Sequence, residues 1–137
     1  PPYIVAGQGR LPPDKTKAQA TFESNVALDQ WISHCLRMTR SRGIFTIIHR
    51  ADRLEHIMAS ISGILGNIVV FPLWPSQVSR DKNTPISANR IIISGRKGVK
   101  SPGVLSSGIT LHEGKNGRYT SEANNILMHA SLLRLNN

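Results

Sequence analysis

Residues 44–54 read Ile-Phe-Thr-Ile-Ile-His-Arg-Ala-Asp-Arg-Leu, a stretch that changes from strand pattern to helix pattern. The first five residues form a short, β-rich, apolar run, which is typical of a strand buried on both faces of a parallel sheet. Asp52 and Glu55 then predict a capped helix start, and apolar residues recur at helical spacing up to Gly66. A buried strand followed directly by a helix indicates an α/β fold.

The neighbouring segments extend this pattern in both directions. Residues 25–39 place apolar side chains at the i, i+3, i+4 and i+7 positions of a helix. Residues 67–74 and 90–94 predict two further strands, and because no helix fits between them we expect an antiparallel pair. Residues 105–113 predict an extended segment and residues 120–133 a last helix. The order indicates the edge of an open α/β sheet with one reversed strand.

The charge of the chain favours a polyanionic partner. Lysine and arginine total 17 against 8 acidic residues, which gives a formal net charge of +9. An excess of this size is typical of nucleic-acid binding, although basic surfaces also serve solubility alone. Aromatic residues make up only 5% of the chain, so a stacking platform of aromatic side chains is not expected.

Several classes of protein are excluded or disfavoured by composition. Cys35 is the single cysteine, which excludes an intrachain disulfide and argues against a cysteine-based metal site. The histidines are dispersed without the spacing of metal ligands, so we predict no metal. The longest apolar runs are too short to span a bilayer, and nothing resembles a targeting segment, which makes the cytoplasm the expected location.

The chain opens on Pro1-Pro2-Tyr3, a stiff turn followed by an aromatic ring. Residues 4–23 then form a long irregular segment that includes Arg10 and Lys15. A segment of this length is either a lid that contacts substrate or a solvated linker, and the pattern does not separate these two interpretations.

Several blocks together resemble one family, the S-adenosylmethionine-dependent methyltransferases that modify an anticodon-adjacent adenine of valine tRNA. The similarity covers nearly the whole chain, and the blocks are Pro1-Pro2-Tyr3, the helix with Trp31, residues 47–54, Pro72-Leu73-Trp74-Pro75, Gly95-Arg96-Lys97-Gly98 and Leu111-His112-Glu113. The resemblance implies the C-terminal part of a Rossmann-like class I open sheet whose last strand is antiparallel. It implies residues 1–98 as the substrate side of that domain and residues 99–137 as a C-terminal extension packed on it.

The cofactor loop of such enzymes has no counterpart in this sequence. Gly7-Gln8-Gly9 lacks both a preceding strand and the third glycine of the Gly-x-Gly-x-x-Gly pattern. We therefore expect that S-adenosylmethionine binds mainly to a missing N-terminal half, which is cleaved, disordered or unrecorded. On this expectation the isolated chain is inactive.

The resemblance also implies roles for the first three residues. In the family, an Asn or Asp side chain and a prolyl carbonyl accept hydrogen bonds from the exocyclic amine of adenine. This assigns the carbonyl to Pro1, with Pro2 in the same motif, while Tyr3 stacks on the splayed-out base. Stacking of this kind contributes about 1–3 kcal/mol per base.

Basic residues along the chain are the candidate contacts to tRNA or another RNA. This set comprises Arg10, Lys15, His49, Arg50, Arg53, Lys82, Arg96 and Lys97. His49 is equally well interpreted as a structural histidine. Three alternatives to tRNA methylation stay open: an RNA-binding module without catalysis, methylation of another amino group (an rRNA base or a protein glutamine), and a fragment that self-associates through an exposed sheet edge.

Overall fold

The computed structural model describes residues 4–5, 22–23, 27–76, 85–114 and 117–135. Two short strands, β1 (Ile4–Val5) and β2 (Phe22–Glu23), pair in parallel apart from the main sheet. The remaining elements are α1 (Leu28–Met38), β3 (Ile44–Arg50), a 3-10 turn (Ala51–Arg53), α2 (Leu54–Ile61), β4 (Leu65–Ser76), β5 (Arg90–Lys97), β6 (Val104–Leu105), β7 (Ile109–Glu113), β8 (Arg118–Tyr119) and α3 (Ser121–His129).

The main sheet is mixed and has the order β3-β5-β4-β7-β8, with β6 beside β4. β5 runs antiparallel to both of its neighbours, so β3 and β4 point the same way. The predicted antiparallel pairing of the strands at 67–74 and 90–94 is therefore confirmed. β5 is not the last strand of the sheet, because β7 adds in parallel to β4 and β8 adds antiparallel to β7.

One face of the sheet, the α1 face, is covered by α1 and α2. Ile32, Ile57, Ile61 and Ile93 are fully buried there, in a cluster that includes residues of β3, β4 and β5. Each such side chain contributes about 1.5–3 kcal/mol by leaving water. The helical spacing recognised in the sequence is thus the spacing of one buried helix stripe.

The opposite face, the α3 face, carries a second cluster. Val69, Phe71, Leu73, Ile109 and Ala123 are buried there, and Ile126, Leu133 and Leu135 pack against them. The helix predicted at 120–133 is shorter than expected and ends at His129, where Ala130 adopts a left-handed conformation. The C-terminal segment therefore covers β4 and β7.

The prediction that β3 is buried on both faces is wrong. Its residues alternate between exposed and buried, with Phe45 and Ile47 inside. Ile44 is 65% exposed and Ile48 41% exposed on the α3 face. The reason is that the second cluster lies over β4 and β7, and among the described strands β3 pairs only with β5.

The start and end of α2 also differ from the prediction. Neither Asp52 nor Glu55 caps a helix; the chain enters through the 3-10 turn without a side-chain cap, and Asp52 accepts hydrogen bonds from Arg50 instead. Gly66 does not end the helix but lies in β4, where an added Cβ would stand 2.0 Å from the carbonyl oxygen of Val99. Glycine is required there because the two backbones approach closely.

Candidate functional site

The carboxyl ends of β3, β4 and β7 lie at the same end of the sheet, because these three strands run in the same direction. Open α/β sheets bind their ligands at this end. It carries Arg50 on β3, Trp74 on β4 and His112 on β7. We call it the carboxyl end of the sheet.

His49 contributes no surface to the carboxyl end. Its side chain is fully buried on the α1 face, together with Phe45 and Ile47, and it lies opposite Ile91 of β5. The burial favours the structural interpretation of this histidine over a contact to RNA.

Arg50 is an exposed cation at this end, with 44% of its side chain accessible. Its guanidinium donates to both carboxylate oxygens of Asp52, with Nε 3.1 Å from Oδ1. Arg53, in the 3-10 turn, is half-buried and has an interaction partner of its own. A phosphate at Arg50 would therefore compete with the carboxylate of Asp52.

Three aromatic rings near the carboxyl end, those of Trp74, His112 and Tyr119, were not assigned a role from the sequence. The indole N–H of Trp74 donates to the carbonyl of Ser107 at 2.8 Å, which fixes the ring between β4 and β7. His112 stacks on Tyr119 of β8, with ring centroids 4.8 Å apart and an interplanar angle of 23°. The pairing of β7 with β8 creates this stack, and no local spacing rule predicts it.

Lys97 lies at the opposite end of the sheet and has a structural contact. Its Nζ donates to the carbonyl of Leu36 at 2.6 Å and to that of Thr39 at 2.8 Å. These carbonyls belong to the C-terminal turn of α1, where a cation also interacts favourably with the helix dipole. Lys97 therefore caps α1.

Two neighbouring clefts lie at the same end as Lys97 and share Ile44 and Arg96 in their walls. Arg40 and Arg42, from the turn between α1 and β3, line one cleft. Arg134, from the segment after α3, lines the other. We call this pair of clefts the arginine cleft.

The predicted RNA contacts thus fall into two separate groups. Arg50 pairs in register with Arg90 at one end of β5, and Ile44 pairs with Arg96 at the other. Six residue steps of a strand separate the two ends by about 20 Å. Pro1, Pro2, Tyr3, Arg10, Lys15 and Lys82 lie outside the described residues. The roles of all these residues in RNA binding or catalysis stay predictions.

Two further features bear on the class of protein. No group of three or more histidine, cysteine, aspartate or glutamate side chains suited to a metal occurs in the part of the chain that the structure describes. Within that same part, no helix has the length and apolar character needed to cross a membrane.

Comparison with known proteins identifies a fold. No protein-family model matches the chain, and no curated protein matches its sequence. Among solved structures, the chain is similar to a crystal structure described as a predicted O-methyltransferase from Agrobacterium tumefaciens, with a TM-score of 0.62 and 17% sequence identity. The similarity covers 72% of this chain and 44% of the other, so this chain matches less than half the length of its structural neighbour. The chain has a methyltransferase-like α/β fold.

Methyltransferases of this fold use S-adenosylmethionine, but the arginine cleft does not fit this cofactor. The cofactor carries a sulfonium cation, which the four guanidinium groups would repel. Among the described residues, no carboxylate lines the cleft to accept hydrogen bonds from the ribose hydroxyls. We assign no contact with the cofactor to these residues.

Proposed function

We propose that this chain is the substrate-side part of an S-adenosylmethionine-dependent methyltransferase that modifies the exocyclic amine of an adenine in tRNA. The observation that carries the proposal is the structural similarity to a methyltransferase over 72% of the chain. The net charge of +9 supports a polyanionic substrate. The choice of adenine and of tRNA rests on the sequence blocks that resemble the valine tRNA family.

In this proposal the chain positions the base. The exocyclic amine of adenine is a weak nucleophile, because its lone pair is delocalised into the ring. A hydrogen bond from the amine to the carbonyl of Pro1 favours the pyramidal nitrogen that reacts, and Tyr3 holds the flipped base by stacking. Correct positioning of the two reactants accounts for a large part of the rate.

The atom that receives the methyl group separates this proposal from its nearest rival. The structural neighbour is described as an O-methyltransferase, whereas Pro1-Pro2-Tyr3 resembles the motif of amino methyltransferases. Product analysis distinguishes these two outcomes directly.

The test is a methylation assay with the protein expressed from its natural reading frame, unmodified tRNA and methyl-labelled S-adenosylmethionine. Nuclease digestion and chromatography of the RNA should yield labelled N6-methyladenosine. Tyr3→Ala should lower kcat/KM by about tenfold or more, since one stacked base contributes about 1–3 kcal/mol. Tyr3→Phe, which keeps the ring, is the matched control and should stay close to wild type.

Three results would contradict the proposal. Label in 2′-O-methylated nucleosides would favour oxygen as the acceptor. Label in protein glutamine would identify a different substrate class. Tight RNA binding without any label would favour a binding module that has no catalytic activity.

A further inference from the structure

We propose that the arginine cleft binds the phosphate backbone of RNA at a site remote from the carboxyl end of the sheet. The proposal rests on the proposed function in one respect, namely that the polyanion is RNA. Its geometry is independent of methyl transfer, because none of the cleft residues lies where the reacting base is expected.

The described residues of the cleft concentrate positive charge without a compensating acid. Arg40, Arg42, Arg96 and Arg134 line it, and none of the described carboxylates does. Among the residues that the structure describes, none of these four arginines forms an ion pair, whereas Arg50 at the other end of the sheet pairs with Asp52. Like charges held close together repel one another, and a bound anion relieves that repulsion.

Lys97 offsets the partial negative charge at the C-terminal end of α1, which would otherwise repel an anion in the cleft. The C-terminal end of a helix carries partial negative charge on its last carbonyls. Two of these carbonyls, those of Leu36 and Thr39, accept hydrogen bonds from Lys97 Nζ. The end of α1 that borders the cleft is therefore neutralised by a residue that is itself not part of the lining.

The chemistry of the lining fits a nucleic-acid backbone. Arginine presents a planar fork of N–H donors that matches two phosphate oxygens, and the four cations that line the cleft in the described part of the chain are arginines. Asn67 and Ser94 add neutral hydrogen-bonding groups to the same walls. Such groups suit the ribose 2′-hydroxyl, which is both a donor and an acceptor. An acidic peptide offers carboxylates but no hydroxyl at each repeat.

The position of the cleft, far from the carboxyl end, suits a role in orienting the RNA. It lies about 20 Å from the carboxyl end along β3 and β5, and contacts to phosphate at that distance orient the RNA without reading its sequence. Arg40, Arg42 and Arg134 were not recognised in the sequence as candidates. They meet Arg96 only because the α1–β3 turn and the C-terminal segment converge at the same end of the sheet.

The test is a fluorescence-anisotropy titration of labelled, unmodified tRNA over a series of KCl concentrations, without any methyl donor. The double variant Arg42→Gln/Arg96→Gln removes two cations from the cleft. The matched control, Arg37→Gln/Lys100→Gln, removes two exposed cations that line neither the cleft nor the carboxyl end of the sheet, so the net charge of the two variants is equal. Urea denaturation of both variants establishes that they remain folded.

We expect the cleft variant to bind tRNA about tenfold or more weakly at moderate salt, and the control to bind much like wild type. The slope of log K against log salt should fall by about 0.7–0.9 for each lost phosphate contact in the cleft variant. Equal weakening in both variants would overturn the proposal, because only long-range charge would then matter. Failure of the unmodified protein to bind tRNA would overturn it as well.

Two further arms separate the alternatives. Poly-glutamate that binds as tightly as tRNA, with the same dependence on Arg42 and Arg96, would identify an acidic protein as the partner and overturn the RNA assignment. Methyl transfer in the assay above, combined with normal tRNA binding by the cleft variant, would leave the proposed function standing and refute this inference. Weakened tRNA binding by the cleft variant, combined with no methyl transfer by the unmodified protein, would support this inference and refute the proposed function.

Discussion

Lys97 connects three parts of the molecule through its side chain and its backbone. It sits in β5, its Nζ caps the last turn of α1, and its backbone N–H donates to the carbonyl of Gly43 at the start of β3. A lysine followed by glycine after an apolar strand looks like a surface cation in the sequence. The structure gives it a partly buried position with two carbonyl acceptors.

Lys97→Met tests this structural role. The substitution keeps most of the aliphatic stem but leaves the carbonyls of Leu36 and Thr39 without their charged donor. We expect the free energy of unfolding to fall by about 1–3 kcal/mol, measured by urea denaturation. Lys100→Met, at an exposed position nearby, should change it by less than about 0.5 kcal/mol. An unfolding free energy of Lys97→Met equal to that of the unmodified protein would refute the capping role.

α3 depends on its first turn more than on its apolar stripe. Ala123 is its only buried residue, whereas Leu127 and Met128 are largely exposed. Thr120 joins the helix to the sheet: its Oγ1 accepts a hydrogen bond from the Ala123 N–H at 3.1 Å and donates to the Thr110 carbonyl at 2.8 Å. The cap therefore fixes both the start of the helix and its attachment to β7.

Thr120→Val removes this hydroxyl while keeping the shape of the side chain. Loss of a helix cap and of a second hydrogen bond should lower the free energy of unfolding by about 1–2 kcal/mol. Ser121→Ala, one position inside the helix and exposed, is the control and should have little effect. If the two variants lose equal stability in a urea titration, the capping role of Thr120 is refuted.

The sheet as a whole has one apolar, exposed edge. β3 ends the sheet in the described part of the chain, and Ile44 and Ile48 project from it on the α3 face. An edge strand of this kind offers backbone hydrogen-bonding groups and apolar surface to another strand. We predict that this edge pairs with a second copy of the same edge in the isolated chain.

Self-association through this edge is testable with a pair of matched substitutions. Ile48 and Ile64 are both 41% exposed, but Ile64 lies in the turn before β4 rather than on the edge strand. We expect the unmodified chain to sediment faster with rising concentration in analytical ultracentrifugation. Ile48→Lys should suppress this shift because it places a charge on the edge, and Ile64→Lys should not. A chain that stays monomeric at all concentrations would contradict the prediction.

The types of the main elements followed from the sequence. The helical spacing at 25–39 and the apolar runs at 44–48, 67–74 and 90–94 correspond to α1, β3, β4 and β5. The antiparallel pair was predictable as well, since two strands without a helix between them join most simply in that way. These features are local, because hydrophobic periodicity records which side of each element is buried.

The placement of the functional side chains was decided by tertiary structure. The sequence grouped His49, Arg50, Arg96 and Lys97 as RNA contacts, but the register of β3 with β5 puts the first two and the last two at opposite ends. Burial of His49 depends on α1 and α2 covering its face. The arginine cleft joins Arg42 to Arg134, residues far apart in the chain, and only the packing of the C-terminal segment beside β4 brings them together.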